Sequence, residues 1–140
     1  MKTNIVWLRT SYWAGAVVDA LAAILLTFPV LMAVVYRLGP IDMSPAFRSV
    51  DASAAALMWG WTCLLIWADR KPLERRGVLL LTLLPVLAAL ILHRLSIILF
   101  YQAPFLEELP FLVLQLALAG LFCFSLWINR NDPFIKDTIQ

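Results

Sequence analysis

The sequence predicts an all-α polytopic membrane protein, a bundle of four antiparallel transmembrane helices, and three observations predict it. Of its 140 residues 63% are apolar and 14% charged, against roughly 45–50% and 25% in soluble domains. Four apolar runs are each long enough to cross a hydrocarbon core of about 30 Å, which takes about 20 helical residues. The connections between them are short, so sequential helices must run antiparallel.

The same numbers exclude several function classes. A net charge of +2, with the basic residues dispersed, does not make a nucleic-acid surface. Cys63 and Cys123 each lie inside an apolar run with no CxxC spacing, so neither a disulfide framework nor a redox or metal site is expected. His93 is the chain's only histidine, which leaves a metal or haem without a second nitrogen ligand. No cofactor is expected, and no nucleophile, metal set or phosphate-binding loop accompanies the polar residues in the way an enzyme would require.

The first helix is expected over Thr10–Tyr36. Lys2 and Arg9 ahead of an apolar run mimic a signal peptide, yet the run is too long and carries Asp19, so it reads as a retained span. Ser11, Gly15, Asp19, Ala22, Leu26, Pro29 and Ala33 recur at spacings of three and four, a small or polar face that should meet protein. Pro29 removes a backbone donor and should kink the helix. After the Gly39-Pro40 turn, Ser44 as N-cap and Pro45 at the first helical position open the second helix, Pro45–Ala68. It carries two small-residue stripes, Ser53–Ala56–Gly60–Cys63 and Asp51–Ala55–Met58–Thr62, as a helix between two neighbours would.

The stretch Asp69–Arg76 is a charged turn. The third helix, Val78–Tyr101, holds Thr82, Pro85, Ala89, His93 and Ser96 on one stripe, which points His93 inward with Arg94 beside it. Pro110 opens the fourth helix, Pro110–Ile128, with Glu107 and Glu108 at its positive N-terminal end; residues 129–140 form a polar tail. Counting Lys and Arg gives two in the N-terminal segment, four in the second loop and two in the tail, against two in the first loop and none in the third. The positive-inside rule then puts both termini in the cytoplasm, where Trp7, Trp13, Trp67 and Trp127 also fall at the interface. With no targeting segment, the expected location is a prokaryotic inner membrane.

One internal similarity stands out. Gly60, Cys63, Ile66, Trp67, Asp69 and Arg70 match Gly120, Cys123, Leu126, Trp127, Asn129 and Arg130 at a constant offset of sixty. Either both are good membrane exits, or a two-helix hairpin has been duplicated; helices one and three align poorly at that offset.

The candidate site follows from cost and depth. A guanidinium at membrane depth is disfavoured by roughly 2.5–3.5 kcal/mol, so Arg94 should be compensated. Asp51 and Gln115 lie at about its depth, so Arg94 is expected to pair with them, with His93 facing the same interior, Trp59 lining an aromatic pocket, and Arg48, Glu107 and Glu108 around the mouth. Asp51, Trp59, His93, Arg94 and Gln115 would bind or transport a small amphiphilic or anionic ligand from the outer leaflet. Asp19, deeper and level with Thr62 and Thr82, is the candidate for proton or cation handling, or else glue between helices. Membrane lipid is an expected partner under every reading, and two other readings stand beside this one: a structural or accessory subunit of a homo-oligomer or larger membrane complex with no ligand of its own, and an intramembrane enzyme using Asp19 or His93.

Overall fold

The computed structural model describes residues 2–35, 44–100 and 104–130, and every regular element among them is helical. The Gly39-Pro40 turn and the tail beyond Arg130 lie outside the described residues. Helix α1 (Lys2–Thr27) starts well ahead of the expected Thr10, because no Gly or Pro breaks the segment before it. It stops at Phe28, whose N–H still donates to the Ile24 carbonyl at 3.0 Å. Pro29 has no N–H to continue the ladder, and the chain resumes as α2 (Pro29–Val35).

Ser44 caps the next helix, α3 (Pro45–Asp69): the Phe47 N–H donates to Ser44 Oγ at 3.3 Å and the Arg48 N–H to the Ser44 carbonyl at 3.0 Å. Along α3 the inward face is Asp51, Ala55, Met58, Thr62, Leu65 and Asp69, alternating by four and three. The other small-residue stripe, Ser53–Ala56–Gly60–Cys63, is exposed. A Cβ placed on Gly60 would meet nothing within 4 Å.

After the charged turn, α4 (Gly77–Leu81) passes into a π-helical segment (Thr82–Leu87) and then α5 (Ala88–Phe100). Pro85 sits within the π segment, and the Ala88 N–H reaches back five residues to the Leu83 carbonyl. The wider turn makes room for a proline ring that would strike a carbonyl of a regular α-turn. It also inserts one residue into the register. Buried Leu79 and Thr82 are followed not by Pro85 or Val86 but by Leu87, then by the half-buried Ile91, Arg94 and Ile98.

The last helix, α6 (Phe105–Ile128), begins five residues before Pro110, which lies inside it. Pro104 acts as the N-cap, and its carbonyl accepts the Glu107 N–H at 3.0 Å, so the first turn forms without help from Pro110. Pro110 forfeits a single bond, to the Leu106 carbonyl, in the second turn. The inward face of α6 is Glu108, Phe111, Gln115, Leu118, Phe122, Ser125 and Asn129.

Among the described residues, four helical stretches are long and apolar enough to cross a membrane: Ile5–Thr27, Pro45–Asp69, Gly77–Phe100 and Phe105–Ile128. Their lengths of 23, 25, 24 and 24 residues exceed the roughly 20 a bilayer requires. Exposed side chains such as Leu57, Leu92, Leu99 and Phe100 suit lipid contact.

The chain divides into two compact units, residues 13–67 and residues 1–12 with 68–140. In the second of these, the start of α1 is tied to the charged turn and to α6. Arg9 donates twice to the Asp69 carboxylate, at 3.0 and 3.1 Å, and Tyr12 Oη donates to the Pro72 carbonyl at 3.4 Å. Trp7 meets Phe124 edge to face with ring centroids 5.1 Å apart, and Arg76 donates to the Asn129 carbonyl at 3.0 Å. In the unit of residues 13–67, Ala16, Ala23, Ala55, Thr62 and Leu65 are buried, and Trp59 Nε1–H donates to Thr27 Oγ1 at 3.3 Å.

Candidate functional site

Within residues 13–67 a groove of about 390 Å³ runs between the end of α1, the start of α2 and the first half of α3. Leu26, Pro29, Ala52, Ala55 and Ala56 make it apolar, Arg48 and Asp51 make one end polar, and the bonded Trp59 and Thr27 close the other. The break at Phe28–Pro29 and the small side chains of Ala52, Ala55 and Ala56 on α3 leave the space. Thr27 positions the indole: its hydroxyl donates to the Ala23 carbonyl at 2.7 Å and accepts from Trp59. Asp51 is 7% exposed, whereas Arg48, one turn earlier on the same helix, is exposed at the mouth. Neither forms an ion pair among the described residues. The groove thus offers a buried carboxylate, an exposed guanidinium, an indole and an apolar floor.

The structure gives Arg94 a different partner from the expected Asp51. Its guanidinium donates to Glu108, with both side chains 19% exposed, and lies over the Phe111 ring with Cζ 4.6 Å from the centroid. Glu108 and Phe111 are successive inward positions of α6, and Gln115 is the next, its Oε1 buried without a hydrogen-bond partner among the described residues. His93, expected to face inward, is exposed. The π segment is the reason: one inserted residue turns the rest of the helix by about 100°, so Arg94 takes the inward place that uniform α-geometry gives to His93. Pro85 was the sequence signal for that turn.

Of the remaining candidates, Asp19 has one carboxylate oxygen, Oδ2, that is buried and without a hydrogen-bond partner among the described residues. Thr62 and Thr82 are buried, but each hydroxyl donates to the carbonyl four residues earlier on its own helix, Met58 at 2.9 Å and Val78 at 2.8 Å. Their protons are committed to the backbone. Among the described residues no three His, Cys, Asp or Glu side chains gather as a metal set. Cys63 and Cys123 are free and exposed. Sequence reasoning placed Arg48 at a mouth, but not Leu26, Thr27 and Pro29 in one groove with Asp51; the signal for these was Pro29, which ends a helix where α3 has Ala52, Ala55 and Ala56.

The offset of sixty extends well beyond the membrane exits. Asp51, Ala55, Met58, Thr62, Leu65 and Asp69 on α3 correspond in register to Phe111, Gln115, Leu118, Phe122, Ser125 and Asn129 on α6, all inward. The first helices of the two hairpins match through their ends instead: Arg9 meets the residue at the end of α3, Asp69, and Arg76 meets its counterpart at the end of α6, Asn129. Counted from those arginines, the offset is 67, and 68 beyond the residue that the π segment inserts. Tyr12 then matches Leu79, Gly15 matches Thr82, and Leu26 matches Arg94. A single constant offset could not reveal this.

The helices and their lipid-suited surfaces define the class: a small multi-pass α-helical membrane protein with polar groups set among its spans. No protein-family model, no curated protein and no solved structure matches the chain.

Proposed function

We propose that the chain is an antiparallel four-crossing bundle, with both termini on the basic, cytoplasmic side of a prokaryotic inner membrane, that binds a small amphiphile in the groove beside Asp51. The observation that carries this reading is the lining itself. A buried carboxylate and a guanidinium, neither in an ion pair among the described residues, stand at one end of an apolar trough large enough for part of an acyl chain. Placing Arg48 and Asp51 by depth, six or fewer residues from the start of α3, sets the polar end toward the outer leaflet and the trough toward the bilayer core.

The reading is tested in nanodiscs with an uncharged fatty alcohol bearing a diazirine on its chain. Photolysis and peptide mapping should find adducts concentrated on residues 52–59 and 26–29. Even labelling of every lipid-facing surface, Leu92 and Leu99 included, overturns it.

A second reading, a subunit that only assembles with copies of itself, is favoured by one observation. Gly60 and Gly120 lie on exposed faces where a Cβ would meet nothing within 4 Å, an opening suited to close helix approach. Native mass spectrometry distinguishes the two, reporting copy number and bound amphiphile together.

A further inference from the structure

The two hairpins treat corresponding positions of the sequence in opposite ways, and the difference names a ligand class. This step rests on the amphiphile reading above and makes it specific. In the hairpin of residues 76–130, a cation enters from the first helix: Arg94 reaches Glu108 and lies over Phe111. In the hairpin of residues 2–69, the position matching Arg94 is Leu26, which brings no charge, and the position matching Glu108 is Arg48. The carboxylate there is Asp51, one turn deeper, 7% exposed and in no ion pair among the described residues. Leu26, Arg48, Asp51 and Trp59 all line the open groove.

An ionised carboxylate buried in apolar surroundings is costly unless a cation accompanies it. Arg48 shares a helix with Asp51, extends to the exposed mouth and does not pair with it. At the position matching Phe111 the open groove has Asp51 itself, so the carboxylate alone would meet a cation there, and the Trp59 indole closes the trough two turns further along α3.

We infer that the groove binds the ammonium group of a cationic amphiphile, held on Asp51 at the polar end, as Arg94 is held on Glu108 in the other hairpin, with Trp59 at the far end of the trough. The alkyl chain lies along Leu26, Pro29, Ala52, Ala55 and Ala56. Arg48 at the mouth is not needed to hold the cation, and it admits an anionic group carried further along the same head.

The test displaces the uncharged diazirine alcohol in nanodiscs with dodecyltrimethylammonium or with dodecyl sulfate, two probes of equal chain length and opposite charge. Dodecyltrimethylammonium should compete at least tenfold better. Asp51→Asn should lower its competition at least tenfold, and Arg48→Gln, which removes a like charge from the mouth, should improve it severalfold. Circular dichroism and unaltered alcohol labelling show that each variant is folded. If dodecyl sulfate competes better and loses its effect in Arg48→Gln, the cation assignment is wrong while the amphiphile groove stands. If the alcohol labels the groove but neither charged probe displaces it, the cation assignment is also wrong. Absence of groove labelling defeats both.

Discussion

The hairpin of residues 2–69 and the hairpin of residues 76–130 share one layout and differ in what they leave unsatisfied. Both begin at an arginine that meets the Asp or Asn ending the hairpin's second helix, Arg9 with Asp69 and Arg76 with Asn129. Their second helices bury the same register of positions. At the positions corresponding to Arg94, Glu108 and Phe111, though, one hairpin closes its own electrostatics and the other leaves a carboxylate and a guanidinium on a single helix, beside open space. Satisfied polar groups in a membrane fix packing, while unsatisfied ones mark where something else enters. The comparison therefore sets a self-paired polar site beside the proposed binding one inside the same short chain.

The largest effect should come from breaking the closed hairpin. Arg94→Leu leaves Glu108 buried without its cation, and loss of one partner of such a pair costs about 3–5 kcal/mol. The double change Arg94→Leu with Glu108→Leu removes both charges and should recover most of that loss, as read by unfolding in mixed micelles. A double variant no more stable than the single one would mean that the pair does not carry the effect.

Next in size is the register set by Pro85. Pro85→Ala restores the missing N–H and removes the ring, so the π segment should relax to α and the residues beyond it should turn back by about 100°. In a background with Cys63 and Cys123 changed to alanine, single cysteines at 93 and 94 report the outcome. A lipid-soluble maleimide should label 93 faster than 94 with Pro85 present, and the order should reverse with alanine. An unchanged order would mean that packing, rather than the proline, holds the turn.

Much of this was legible in the sequence, for identifiable reasons. Composition and the lengths of the apolar runs sufficed for four spans, because lipid imposes one strong constraint on backbone and side chains together. Ser44 and Pro45 marked a helix start through local chemistry alone, and Pro29 marked a break. What failed was register beyond a perturbation. On a uniform 3.6-residue stripe Pro85 is one more member, which turns His93 in and sets Arg94 beside it, and the inserted residue shifts the correspondence between the first and third spans by one. Pro110 misled differently: a proline tolerated in the second turn was taken for the first, because Pro104 had already supplied the start. Glu108 was placed at a mouth rather than on Arg94, since depth alone does not say which face of α6 looks inward.

Transplanting the closed hairpin's cation into the open one sharpens the comparison with a smaller effect on stability and a clear one on binding. Leu26→Arg places a guanidinium at the position matching Arg94, within the groove that holds Asp51. It should compete with an amphiphilic ammonium for that carboxylate and weaken displacement of the diazirine alcohol by dodecyltrimethylammonium at least tenfold. Leu26→Met, similar in bulk but uncharged, should leave it nearly unchanged. Equal loss in both variants would trace the effect to shape instead of charge.

The smallest expected effect concerns the bond that sets the indole of the open groove. Thr27 accepts from Trp59 Nε1–H at 3.3 Å while donating to the Ala23 carbonyl at 2.7 Å, so its hydroxyl ties the aromatic wall to the end of α1. Thr27→Val keeps the shape and removes both bonds. A neutral hydrogen bond contributes about 0.5–1.5 kcal/mol net, and the indole N–H left behind has no water to turn to in hydrocarbon. The melting temperature should therefore fall by only a few degrees. Binding should respond more than folding does, because a released indole no longer closes the far end of the groove. The ammonium probe should weaken severalfold in Thr27→Val, and Thr27→Ser, which keeps the hydroxyl, should restore it. The closed hairpin has no equivalent tie to lose: its counterpart to Trp59 is Ala119, and its aromatic, Phe111, is held by the cation itself.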